Sequence, residues 1–215
     1  MLPLFIILLL LLLLPGLMAG LTIDMVQTAA AKLGFSPSVA LVLLLAVFLG
    51  SAINIPLYQK RGWLPYGPFR GLLQPVSTVV AVNVGGGLIP TMLAIYQLFR
   101  GHLLATLATI VIVSLVSYCA AQVVPGTGIR MNAMVAPLCA VLCGWLLGGI
   151  AAPQVAFAGG ILGTLIGADL LHLKELERMT PGVLSIGGAG ILDGISLCGL
   201  FLCCWSKKAG LKRLR

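Results

Sequence analysis

Stretches of about 20 apolar residues, the length a helix needs to cross the hydrocarbon of a bilayer, recur along this chain with only short polar turns between them. They run approximately from Leu2 to Ala19, Ser38 to Leu57, Gln74 to Phe99, His102 to Val123, Asn132 to Ile150, Pro153 to Leu173 and Pro181 to Trp205. With 60% apolar and 8% charged residues, the chain lacks the charge needed to cover a water-soluble surface. Its mean hydropathy of +1.15 agrees. The expected fold is all-α: a polytopic transmembrane bundle of about seven spans, with two of its helices broken by glycine. Residues 1–20 form an N-terminal transmembrane segment, 21–205 the polytopic membrane domain, and 206–215 a basic tail.

The first segment reads as a retained span. "LMAG" would serve as a cleavage site, but no Lys or Arg precedes the apolar run, as it would in a secretory signal. The 13 basic residues exceed the five acids and give a net charge of +8. They gather in short loops and in the tail "SKKAGLKRLR", which suits anionic lipid headgroups rather than nucleic acid. The tail also points to a cytoplasmic C-terminus and an outside N-terminus. The protein is therefore expected in a cell membrane, with the bilayer as its first partner. The six cysteines lie in apolar segments with no CxxC pair, and read as small packing residues. No cofactor or metal is expected.

Two segments share a texture. "NVGGGLIP", Asn83 to Pro90, and "SIGGAGIL", Ser185 to Leu192, each place a small polar residue and a β-branched one before a glycine cluster. Glycine runs weaken a helix, and Pro90 removes an amide donor, so both helices are expected to kink or unwind. The freed backbone would then face a ligand, as in broken transporter helices, or simply pack closely against a neighbour. The candidate binding residues are Asn83, Gly85, Gly86, Gly87, Pro90, Gly187, Gly188 and Gly190, together with Asn54 in "GSAINIPLY". Both amides can also satisfy broken helix ends. Gly160, Gly163 and Gly167 are spaced for helix packing alone.

Of the acids, only Asp169 and Asp193 fall within apolar segments. A carboxylate in hydrocarbon costs about 3 kcal/mol on insertion scales and marks a functional site by default. If the sixth helix continues to Thr180 and Pro181 opens the seventh, the two acids differ in depth by about 3 Å at a helical rise. Facing carboxylates share a proton. One can then act as general base on water and the other as general acid on a peptide carbonyl. Asp169 and Asp193 are the candidate catalytic pair of an intramembrane aspartyl hydrolase acting on a membrane peptide. The same proton could instead drive a proton- or cation-coupled transporter of a small solute, and a non-catalytic membrane subunit would use the acids for internal pairing alone.

"NVGGGLIP", "PGTGI", "GTLIGADLL" and "GGAGILDGI", in this order over roughly residues 50 to 205, resemble the bacterial and archaeal membrane proteins grouped as domain of unknown function 1614. That resemblance implies kinship of fold and no particular chemistry. Asp169 and Asp193 on adjacent segments also resemble the pair of presenilin-type intramembrane aspartyl proteases. The tyrosine before the first acid of that family is absent here, and two residues separate Gly190 from Asp193.

Overall fold

Among the described residues, two apolar stretches become helices long and apolar enough to cross a membrane: α4 (Leu103–Ala120) and a continuous helix over Gly149–Glu175. The computed structural model describes residues 20–65, 73–124, 128–175 and 182–187. The long helix opens with a 3₁₀ turn (Gly149–Ala151), continues as α6 (Ala152–Thr164), and widens to a π-helix over Leu165–Leu170. It runs parallel to α4, because a side chain on Gly159 would strike Thr109, one on Gly163 would strike Val113, and one on Gly167 would strike Ser114. Glycine at these positions lets the two backbones approach, the packing that small residues provide between membrane helices. Polarity is inverted relative to a water-soluble helix. Thr106, Thr109, Ser114 and Ser117 are buried, whereas Leu104 is 76% and Leu115 60% exposed. An apolar outer surface of this kind fits a lipid surrounding.

The remaining helices are shorter. α1 (Gly20–Lys32) and α2 (Pro37–Gly50) meet at a bend of 118°, turned by Gly34 at φ 84 and capped by Ser36, whose hydroxyl accepts from the Val39 amide. α3 spans Ile89–Arg100 and α5 spans Val135–Leu147. Gln97 donates to the Leu33 carbonyl at 2.9 Å, and Gln154 to that of Lys32 at 3.4 Å, fastening the end of α1 to α3 and α6. A core of Leu33, Ala94, Val141, Ala156, Phe157, Ala158 and Ile161 fills the space between these helices.

Strands replace helix in parts of the expected spans, so the all-α expectation is corrected; among the described residues two helices, or three if the bent pair counts as one span, are long and apolar enough to cross a membrane. α2 stops at Gly50, and Asn54–Pro65 is β1, since Pro56 cannot supply a helical amide and Ile53 and Ile55 are β-branched. β2 (Leu73–Asn83) occupies the first half of the expected third span; Val76, Thr78, Val79, Val80 and Val82 are apolar or half-apolar, but all are β-branched. β5 (Gly182–Ile186) stands where the seventh helix was expected to begin. β1 pairs with β2 antiparallel, with a register shift between Pro56 and Tyr58, and β5 pairs with β2 in parallel. A second, two-stranded sheet joins β3 (Gln122–Val124) to β4 (Gly128–Arg130).

Helices α2 to α6 run back and forth between two ends of the molecule. At one end Gly34 lies against the Arg100 guanidinium, and Arg100 and His102 adjoin the turn from Gly148 to Ala151. At the other, Gly50 abuts Gly85, and Tyr118 stacks on His172 with ring centroids 4.6 Å apart. The strands gather at this second end, where Val80, Leu184 and Ile186 pack with Val123, Ile129, Leu165 and Leu173. An open sheet cannot leave its edges in hydrocarbon. β1, an edge strand with Lys60 and Arg61 exposed, therefore belongs beyond the apolar layer.

Candidate functional site

β2 ends at Asn83, and the chain turns directly into a single π-helical turn, Val84–Leu88, before α3. Asn83 makes this turn possible. Its Oδ1 accepts from the Gly86 amide at 2.7 Å, and its Nδ2 donates to the Ser51 carbonyl at 2.7 Å and to Asn54 Oδ1 at 3.1 Å. Asn54 Oδ1 also accepts from the Ser185 hydroxyl at 2.6 Å. The two asparagines thus tie the ends of β1, β2 and β5 into one polar knot, and the buried Asn83 acts as the helix-end cap that its sequence position allowed.

The parallel pairing of Val82 with Ile186 delivers Gly187 beside the glycine turn. A side chain on Gly86 would collide with the Gly187 carbonyl oxygen, and one on Gly187 would come within 2.6 Å of Gly87 Cα. Gly187 also has φ 69, in the left-handed region that favours glycine. Gly187 therefore meets Gly86 and Gly87 backbone to backbone. Gly85 is buried against the end of α2, and Pro90 lies buried in the first turn of α3. The first break is strand, π-turn and helix rather than a kinked helix.

Asp169 reaches the same junction from the π-helical part of the long helix. Its Oδ2 accepts from the Gly187 amide at 3.2 Å, and the residue is half-buried. Single π-turns inside α-helices recur at functional sites; here the widening carries the one acid that touches a glycine turn among the described residues. One turn further on, buried His172 sets Nδ1 3.2 Å from the Gly167 carbonyl and 3.1 Å from that of Ala168. Two carbonyl neighbours accept only, so Nδ1 carries the hydrogen.

Asp169 stands some 20 residues, about 30 Å at a helical rise, from the start of the long helix at Gly149. Because its neighbour His172 stacks on Tyr118 near the C-terminal end of α4, the carboxylate lies at one end of the bundle rather than in its middle. Asp193, Gly188 and Gly190 lie outside the described residues. The level pairing of Asp169 with Asp193 assumed a helix from Pro181, and the extended strand over Gly182–Ile186 removes that premise. Ser185, His172 and Tyr118 were not singled out by sequence. Ser185 had a signal, as the small polar residue before the second break; His172 is three residues after Asp169, one helical turn away.

A family model described as "Protein of unknown function (DUF1614)" matches residues 48–204. No curated protein and no solved structure matches the chain. The resemblance to presenilin-type proteases accordingly has no support beyond its two aspartates.

Proposed function

The chain belongs to the DUF1614 family, and we propose that it is a membrane transporter for a small solute, coupled to a proton or a monovalent cation through Asp169. The observation that carries this reading is the hydrogen bond from the Gly187 amide to Asp169 Oδ2, at the point where Gly187 touches the Gly86–Gly87 turn. Transporters build ion and solute sites from interrupted backbone beside an acid.

An ionised Asp169 holds the Gly187 amide by a charge-assisted bond. Protonation, or capture of a cation, weakens that hold. The contact between Gly187 and the Gly86–Gly87 backbone then loosens, and amides and carbonyls of both turns become available to a solute. At the end of the bundle, Asp169 would serve as the ion site of one mouth. An intramembrane aspartyl hydrolase requires a second carboxylate opposite Asp169. Asp193, which would supply it, lies outside the described residues, whereas the bond from the Gly187 amide to Asp169 is in place and supports the transport reading.

The test is uptake by proteoliposomes from a pool of labelled amino acids, sugars and carboxylates under an imposed proton or sodium gradient. Accumulation that needs both the gradient and Asp169 supports the proposal. No accumulation by correctly inserted protein overturns it, and labelling by a hydroxyl-isostere probe of aspartyl proteolysis that vanishes in both D169N and D193N would establish the hydrolase instead.

A further inference from the structure

At the end of the bundle opposite Asp169, an open depression of about 560 Å³ lies among Arg100, His102, Leu147, Gly149, Ile150 and Gln154. We propose that this depression binds the phosphate of an anionic phospholipid headgroup, with the acyl chains lying on the apolar residues beside it.

Three independent features define the occupant. The first is charge. Arg100 is exposed; among the described residues its polar contacts are with Tyr96, a hydrogen bond to the phenol oxygen at 3.4 Å and a guanidinium 5.6 Å above the ring. Those contacts hold the planar fork without neutralising it, and an arginine fork matches phosphate geometry. The second is depth. The two unbroken helices able to cross a membrane among the described residues begin here, α4 at Leu103 and the long helix at Gly149. Arg100 and His102 therefore sit where hydrocarbon gives way to the phosphate layer, and the unpaired amides of the two helix starts add positive potential there. The third is apolar surface. Ile150, 92% exposed, and Leu147, 45% exposed, line the depression together with Arg100. A ligand with one anionic head and long apolar chains satisfies both parts, whereas free phosphate leaves the apolar part uncovered.

The test is native mass spectrometry of the full chain released from detergent after equilibration with phosphatidylglycerol or phosphatidylcholine. The unmodified protein is expected to retain phosphatidylglycerol in preference, and R100Q to lose about tenfold of that retention, an arginine–phosphate contact of typical strength. I150Q, at a residue 92% exposed, is expected to weaken lipid retention as well. Equal retention of the two lipids, or full retention in R100Q, overturns the proposal. So does loss confined to a variant with Lys207 and Lys208 neutralised, which would place the lipid at the tail, or displacement of the lipid by millimolar glycerol phosphate, which would make the depression a site for soluble phosphate.

Discussion

The Gly187 amide donates to Asp169 Oδ2 at 3.2 Å across 18 residues of sequence, and so fastens the end of β5 to the π-helical stretch of the long helix. The bond separates what Asp169 does for the fold from what it does for function. Asn at position 169 can still accept from Gly187 but carries no charge. Asp169→Asn should therefore lower stability in detergent by about 1 kcal/mol or less, the difference between a charge-assisted and a neutral bond, while abolishing gradient-driven uptake. Asp169→Ala leaves the amide unsatisfied and should cost about 1–3 kcal/mol. Thermal unfolding midpoints of the three proteins, measured beside their uptake, check the ordering; equal uptake by D169N and the unmodified protein would remove the carboxylate from the mechanism.

The contact between the glycine turns predicts a sharp difference among glycine substitutions. Gly86→Ala drives a methyl into the Gly187 carbonyl, and Gly187→Ala meets the Gly87 backbone at a φ of 69. Overpacking of this kind costs about 1–3 kcal/mol, and the left-handed backbone adds about 1–2 kcal/mol at Gly187. Among the described residues, nothing lies within 4 Å of a Cβ added at Gly20. Gly20→Ala should be neutral or stabilising by at most about 1 kcal/mol. Folded yield and unfolding midpoint in one detergent compare all three, and unfolding of Gly86→Ala at the midpoint of Gly20→Ala would contradict the junction.

These residues also show what the sequence could and could not reveal. The glycine clusters, Asn54, Asn83 and Asp169 were legible as unusual groups in apolar surroundings, because polarity and glycine runs stand out against such a background. The contact of Gly187 with Gly86 and Gly87 joins a strand end to a π-turn, where broken helices are the expectation. A window of apolar residues has the same mean hydropathy whether it is coiled at 1.5 Å or extended at about 3.3 Å per residue, so "PVSTVVAVN" and "GVLSI" read as span when they are strand. The β-branched runs before each break were the available warning. The turns fall alternately at the two ends of the bundle even where α2, α3 and α5 are shorter than a full span, since alternation depends on where the polar turns occur and not on helix length. The depth of Asp193 is not legible in the sequence, because a helical rise does not apply across Gly182–Ile186, which is strand.

Asn83 should tolerate no isosteric exchange. Both its amide hydrogens and its oxygen are engaged, with Ser51, Asn54 and Gly86, and the residue is 4% exposed. Asn83→Asp keeps an acceptor for Gly86 but loses both donors, and faces a negative charge toward the Ser51 carbonyl and Asn54 Oδ1. Asn83→Ala loses all three bonds without adding charge. Each variant should cost about 2–4 kcal/mol, combining lost bonds with a stranded partner, and Asp should be at least as damaging as Ala. Unfolding midpoints decide; a stable N83D with a destabilised N83A would mean that the amide donors carry none of the structure.

The two ends of the bundle can be placed on opposite sides of a bilayer by labelling. Lys60 lies on β1 at the sheet end, and Ile150 opens the long helix at the Arg100 end; both are exposed. Their separation follows the long helix, whose 27 residues rise about 40 Å if fully α-helical, more than the roughly 30 Å of hydrocarbon. In a background without native cysteines, Lys60→Cys and Ile150→Cys should each react with a membrane-impermeant maleimide from one side of sealed vesicles only, and from opposite sides. Whichever residue shares the side of the basic tail also fixes the orientation of the chain. Labelling of both from the same side would mean that the long helix lies along the membrane, and would remove the depth argument for Asp169 and Arg100 together.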